Sequence, residues 1–222
     1  MSGPASSIAA ARKLVSRPPL RLNWGIAARK KAAAFMEAHE NFDLFYKRQK
    51  LLAIIRRASL LQGREFRLTS GGSSNFFIDL KKTMLDPEGA SLLADLLFDK
   101  IRTENVDCIG GMETGAIPII AVVCMRSWPE KPVKGFFIRK EAKGHGTNQR
   151  VDGPLDRGSR VILFEDVTTT GSSLMRAVDQ TRQFQCTILK VIAVVDRLEG
   201  AEENFRQAGI TFEALFTRRD FR

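Results

Sequence analysis

The chain has 222 residues, 44% hydrophobic and 27% charged, enough to bury a substantial core, and a formal charge of +10. Its longest apolar run, residues 116–125, contains a proline and falls well short of the roughly 20 residues of a membrane-spanning helix, so an integral helical membrane protein is excluded. Cys108, Cys124 and Cys186 are an odd set in apolar surroundings without close metal spacing, which argues against a disulfide framework or a zinc module and for reduced thiols in a cytoplasmic protein.

The charge is concentrated at the amino end. Residues 1–50 hold ten of the 35 Lys and Arg but three of the 25 Asp and Glu, so the rest of the chain is close to balanced. Residues 1–31 contain basic residues, Ser2, Ser6, Ser7 and Ser16, and no acid. Two readings stand: a basic extension to a catalytic body, or a mitochondrial transit peptide. Nothing beyond Trp24 supplies the aromatic interleaving of a nucleic-acid-binding tail. An Ala- and Lys-rich stretch predicts a helix over 27–39. The expected division is an extension over 1–41 and one catalytic domain over 42–222.

Within that domain a helix is expected over 42–58, then strands over 65–69 and 75–79. Residues 68–82, LTSGGSSNFFIDLKK, read as a Ser/Gly turn running into an aromatic strand, where Phe76 and Phe77 suit a sheet core. A helix over 87–103 follows, then a strand over 107–110, a glycine-bounded loop over 111–116 and a helix over 117–126. A strand over 134–139 opens into residues 136–153, FFIRKEAKGHGTNQRVDG. Arg139, Lys140, Lys143, His145 and Arg150 suit a diphosphate, and Gly144 and Gly146 permit the dihedral changes of a closing lid. A solvated charged hairpin is the plainer alternative.

Residues 160–176, RVILFEDVTTTGSSLMR, carry the most chemistry. A short apolar strand over 160–164 delivers Glu165 and Asp166 to its carboxyl end, where ligands of open α/β sheets sit. Val167 leads into Thr168, Thr169, Thr170, Gly171, Ser172 and Ser173, whose hydroxyls and N–H groups open a helix over 172–183 and favour a phosphate. The acids would repel that phosphate unless they face neutral sugar hydroxyls, so the pattern reads as a phosphosugar site. A Walker-type loop is excluded because no Lys follows the glycine, and a dinucleotide fingerprint lacks its three spaced glycines. A strand over 187–195 ends in Asp196 and Arg197, and an Arg there can grip a carboxylate or pair with an acid in the fold. A helix over 201–208 and a strand over 211–216 close the chain. The alternation predicts an α/β fold, a mostly parallel, doubly wound sheet flanked by helices, with a small hood from the early strands and the N-terminal segment.

The apolar run, acid pair and Thr-Thr-Gly-x-Ser turn resemble the signature of the type I phosphoribosyltransferases, and the whole set resembles the orotate phosphoribosyltransferases from about Phe42 onward. The Arg-Lys-Glu-x-Lys-x-His-Gly wording of the lid, the Ser-Gly turn before Phe76 and Phe77, the loop at 111–116 and Asp196-Arg197 carry that resemblance in the same order. Departures are Thr114 and Gly115 where some members have Tyr-Lys, Thr69 where some have Lys, and Gly144 where some have an acid.

The resemblance implies transfer of phosphoribosyl from 5-phosphoribosyl 1-diphosphate to orotate. It places Glu165 and Asp166 on the ribose hydroxyls, residues 167–173 around the 5′-phosphate, and Arg139, Lys140, Lys143 and His145 on the diphosphate, with Lys143 catalytic beside the two acids. Orotate falls to Thr169, Arg197, Phe77 and Ile78. It also implies Mg²⁺ held mainly by substrate rather than by the protein, and a homodimer whose lid reaches the neighbouring site. A transferase for another nucleobase, or a regulator that keeps the phosphosugar site without catalysis, are the alternatives; the lid cations and Arg197 argue against both.

Overall fold

The structure is a computed structural model that describes residues 26–67, 73–141 and 150–221. It divides into two units, residues 1–43 and 44–222, and the larger holds every strand among the described residues. Helix α1 (Ile26–Ala58) is one helix of 33 residues where the sequence suggested two. Neither Pro nor Gly stands between His39 and Phe42 to interrupt the hydrogen-bond ladder. In the larger unit, α1 buries Leu51, Leu52, Ile54 and Ile55 at the spacing of one helix face.

After α1, β1 (Leu60–Arg67) and β2 (Ser73–Ile78) pair antiparallel in a two-stranded sheet of their own, with Leu60 opposite Ile78. β1 begins five residues before the expected 65. A short α2 (Lys81–Met84) leads to α3 (Pro87–Ile101), whose start combines Pro87 at the first turn with Asp86 as N-cap, accepting the N–H groups of Glu88 and Gly89. Then come β3 (Cys108–Gly111), α4 (Ala116–Ser127) and β4 (Lys134–Gly135).

The strand expected over 134–139 is two strands in two sheets. β4 ends at Gly135, Phe136 turns into the interior at 1% exposure, and β5 (Phe137–Ile138) pairs antiparallel with β6 (Val151–Asp152), which the sequence reading missed. The chain closes with β7 (Arg160–Thr168), α5 (Ser172–Arg182), β8 (Thr187–Asp196), α6 (Ala201–Gln207), β9 (Phe212–Thr217) and a 3-10 turn over Arg218–Phe221.

The main sheet has five parallel strands in the order β4-β3-β7-β8-β9, which bears out the α/β class with a parallel sheet between helices. β7 is central, and Val161, Ile162, Leu163 and Phe164 are wholly buried. Side chains alternate across a strand. Val161 and Leu163 enter a cluster with Leu174, Ala177 and Val178 of α5, while Ile162 and Phe164 enter another with Leu93 and Leu97 of α3 and Ile119 and Val123 of α4. Burying each such side chain stabilises the fold by about 1.5–3 kcal/mol before entropy is counted, which fixes the strand that carries the two acids.

Candidate active site

The strand order locates the crevice. From β3 the chain crosses outward to the edge strand β4, whereas from β7 it crosses the other way to β8, so the connections diverge between β3 and β7. Ligands of open parallel sheets bind outside the carboxyl ends at such a divergence. The loop after β3, the acids of β7 and the turn before α5 all lie at those ends.

β7 stays extended through Thr168, four residues beyond the expected end, so Glu165 and Asp166 fall on opposite faces. Asp166 follows Ile162 and Phe164. Its Oδ1 accepts the Val167 N–H at 2.8 Å and lies 2.5 Å from where a Cβ on Gly115 would stand. Burial pushes its carboxyl upward, against the pull of the Val167 N–H and Lys81, while Asp79 adds to the rise. Lys81 in turn pairs with Asp79 at 2.8 Å. Glu165 follows Val161 and Leu163 toward α5. Burial and then the Asp166 charge push it up to about 8, with Arg176 and Lys140 drawing it down. Its Oε2 is buried with no hydrogen-bond partner among the described residues.

The hydroxyl-rich turn is braced from behind. Thr168 is the last strand residue at 2% exposure, its carbonyl accepting the Arg197 N–H at 3.0 Å. Val167 and Thr169 are half-buried and Thr170 is exposed. Gly171 has φ of 79°, and a Cβ there would meet the Phe205 ring at 2.7 Å, so glycine is required by both backbone and space. Asn204 Nδ2 donates to the Thr170 carbonyl at 2.8 Å. α5 then starts at Ser172 and Ser173 with no side-chain cap and no acid in its first turn. Its leading N–H groups and dipole suit an anion.

The loop after β3 is tightly wound. Gly115 N–H donates to the Glu113 carbonyl at 3.0 Å across Thr114, whose φ is 67°. That is a γ-turn of the strained, positive-φ kind, costing about 1–3 kcal/mol. The Glu113 N–H donates to the Ile138 carbonyl at 2.8 Å, and the Glu113 Oε1 accepts the Lys140 N–H at 2.9 Å.

Lys143 and His145 lie outside the described residues. The residues flanking them, up to 141 and from 150, are described. Arg139 donates its N–H to the Arg150 carbonyl at 2.8 Å and its Nε to Asp152 Oδ2 at 2.5 Å, while Lys140 is exposed. Met112, Arg139, Lys140, Arg150 and Arg176 line a cavity of about 320 Å³ together with Asp179 and Gln180. The sequence reading did not single out Arg176. Its signal was its place one turn into α5, since helical side chains lean toward the amino end and so back toward the acids. Lys81 and Asp79 were missed too, because they follow the aromatic strand by a turn that has no motif of its own.

The structure does not bring every candidate equally close. Arg197 is 4% exposed and pairs with Glu199 at 3.0 Å, not with Asp196, whose Oδ1 instead accepts the Leu198 N–H at 2.9 Å. Ile78 sits in the apolar core at 7% exposure, and Phe77 is half-buried.

A parallel sheet with an acid pair and an uncapped, hydroxyl-rich helix start at its divergence defines a phosphosugar-handling protein, and the family model of the Phosphoribosyl transferase domain matches residues 82–212. The chain is 44% identical over 180 residues to the orotate phosphoribosyltransferase of Bradyrhizobium sp. (strain BTAi1), covering 78% of this chain and 96% of that protein. It is 40% identical over 176 residues to that of Aquifex aeolicus, with 78% and 96% covered. The crystal structure of the Mycobacterium tuberculosis H37Rv orotate phosphoribosyltransferase in complex with 5-phospho-alpha-D-ribosyl 1-diphosphate superposes with a TM-score of 0.66 at 26% identity, covering 79% of this chain and 98% of that one. The chain belongs to the orotate phosphoribosyltransferase family.

Proposed function

We propose that the crevice between β3 and β7 transfers a phosphoribosyl group from 5-phosphoribosyl 1-diphosphate to orotate, giving orotidine 5′-phosphate and diphosphate. The observation that carries the reading is the placement of Glu165 and Asp166 between the γ-turn loop and the uncapped start of α5. In this reading the two carboxylates accept the ribose hydroxyls, and residues 167–173 hold the 5′-phosphate. Arg139, Lys140, Lys143 and His145 take the diphosphate. As the bond from C1′ to diphosphate breaks, negative charge grows on the leaving group, and Lys143 with its neighbours stabilises it. The lid keeps water from the cation-like sugar.

Thr169, Arg197 and Phe77 meet orotate, with Arg197 on its carboxylate and Ile78 behind Phe77. Arg197 reaches it by exchanging Glu199 for the ligand, a swap between two carboxylates of like geometry. Mg²⁺ prefers phosphate and water oxygens with one or two carboxylates. The site offers such hard donors in Asp166 and Glu165, so it fits a metal carried mainly by the substrate. When bound, Mg²⁺ neutralises charge on the diphosphate. The division into residues 1–41 as extension and 42–222 as catalytic domain belongs to the same proposal. So do a homodimer whose lid reaches the partner's site and a cytoplasmic location, the last supported by three free thiols.

Purified protein with the phosphosugar and magnesium is expected to consume orotate, read by its absorbance, and to leave adenine, guanine and uracil unreacted. Consumption of another base in preference to orotate overturns the assignment of the acceptor. Sedimentation showing a monomer at assay concentration removes the shared lid.

A further inference from the structure

The loop after β3 and the root of the lid are fastened together through one side chain. Glu113 gives its N–H to the Ile138 carbonyl at 2.8 Å and takes the Lys140 N–H on its Oε1 at 2.9 Å, contacting the last residue of β5 and, two residues on, the second cation of the lid segment. Met112 and Ile138 are paired as a parallel bridge immediately before. On its other side Glu113 is the carbonyl acceptor of the γ-turn that ends at Gly115, directly beneath the Asp166 carboxylate. A continuous set of short contacts therefore runs from the acid of β7, through Gly115 and Glu113, to the backbone of Lys140, which lines the basic cavity with Met112, Arg139 and Arg176.

We propose that Glu113 is a positioning residue that ties the γ-turn loop to the lid root, so that Lys140 is held at the distance from Asp166 that a bound diphosphate needs. The proposal rests on the reading of Lys140 as a diphosphate contact. In this proposal the Glu113 side chain acts through the Lys140 N–H, which its Oε1 already accepts. A carboxylate accepting a backbone N–H is a charge-assisted bond of the stronger kind, and its loss frees the Lys140 backbone, which follows the hairpin bonds of β5 and β6 and the Arg139 bonds to Arg150 and Asp152. A glutamine keeps the acceptor oxygen and an alanine does not.

The test compares Glu113→Ala, Glu113→Gln and Lys140→Ala, reading amide exchange across residues 138–141 and binding of magnesium diphosphate and of ribose 5-phosphate. Glu113→Ala is expected to speed exchange at Lys140 and weaken diphosphate about tenfold, the scale of one such bond, while ribose 5-phosphate stays within about twofold because the turn at 168–173 is untouched. Glu113→Gln is expected to restore both. Unchanged exchange at Lys140 in Glu113→Ala, equal weakening of both ligands, or a glutamine as damaging as the alanine overturns the staple. Unchanged diphosphate affinity in Lys140→Ala overturns instead the assignment of the lid root to the diphosphate, and leaves the exchange result to stand by itself.

Discussion

Asp166 occupies the space that a side chain at residue 115 would need: its Oδ1 lies 2.5 Å from the ideal Cβ position on Gly115, closer than real Cβ atoms come to any neighbour. The φ of Gly115 is −76°, so space rather than backbone strain demands glycine. Gly115→Ala is expected to displace either the loop or the carboxylate and to lower kcat/KM by about 10- to 100-fold, since misplacement by an ångström costs on that order. Steady-state kinetics beside a thermal melt checks it; full activity would mean that the loop and the acid move independently.

Glu165 should give the phosphosugar affinity a pH dependence. Its pKa is raised from 4.5 to about 8, so in the unliganded protein the neutral form prevails at pH 7 and ionisation is completed above pH 8. The ionised carboxylate is the better acceptor for two hydroxyls, so the KM for the phosphosugar is expected to fall as pH rises through about 8. Because the folded pKa lies above the unfolded one, Glu165 also makes the fold less stable as pH climbs from 4.5 to 8. Arg176→Met removes a cation that draws Glu165 down, and should move the KM profile to higher pH. Glu165→Gln should flatten it, and a profile identical in all three proteins would show that another group titrates.

Arg197→Ala tests the base contact. Calorimetry is expected to show orotate binding weakened by about 10- to 1,000-fold, the range for losing a bidentate charged pair, with the phosphosugar bound as before. Equal weakening of both ligands would instead mark Arg197 as a structural partner of Glu199 and of the strand end.

Away from the crevice, Lys190 is buried at 7% exposure and donates to the Lys100 carbonyl at 3.0 Å, Glu104 Oε1 at 2.8 Å and Glu213 Oε1 at 2.9 Å. Glu104 and Glu213 stay partly exposed, and Glu213 keeps Lys100 at 2.9 Å. Lys190→Met is therefore expected to cost about 1–2 kcal/mol, less than the 3–5 for a fully buried pair. Urea unfolding measures this, with activity in the folded protein unchanged.

How far the sequence could be read depended on how local the cause was. The run at 161–164 with Gly171 and Ser172 marks strand, turn and helix within one short segment, and each lies where that pattern placed it. The boundary at Phe164 was set too early because acids look like a stop. Yet the partners of Glu165 and Val167 on β8 hold the backbone extended, and pairing to a neighbour leaves no local trace. The split after Gly135 has the same origin. Phe136 donates its N–H to the Ile109 carbonyl at 3.0 Å and buries its ring, a choice made by β3 rather than by the apolar run itself. Glu113 was readable as part of a loop, but its bond to Lys140 spans 27 residues and could be seen only in three dimensions.

Helix α6 supplies two braces of the hydroxyl-rich turn, Asn204 through its amide and Phe205 through its ring, and it begins just beyond Arg197. Any attempt to retarget the enzyme to a different acceptor by lengthening or shortening the Leu198-Glu199-Gly200 connector would shift this buttress as well. Acceptor swaps made by single side-chain exchanges should therefore be tolerated far more often than swaps made by transplanting the connector from a relative with another loop length.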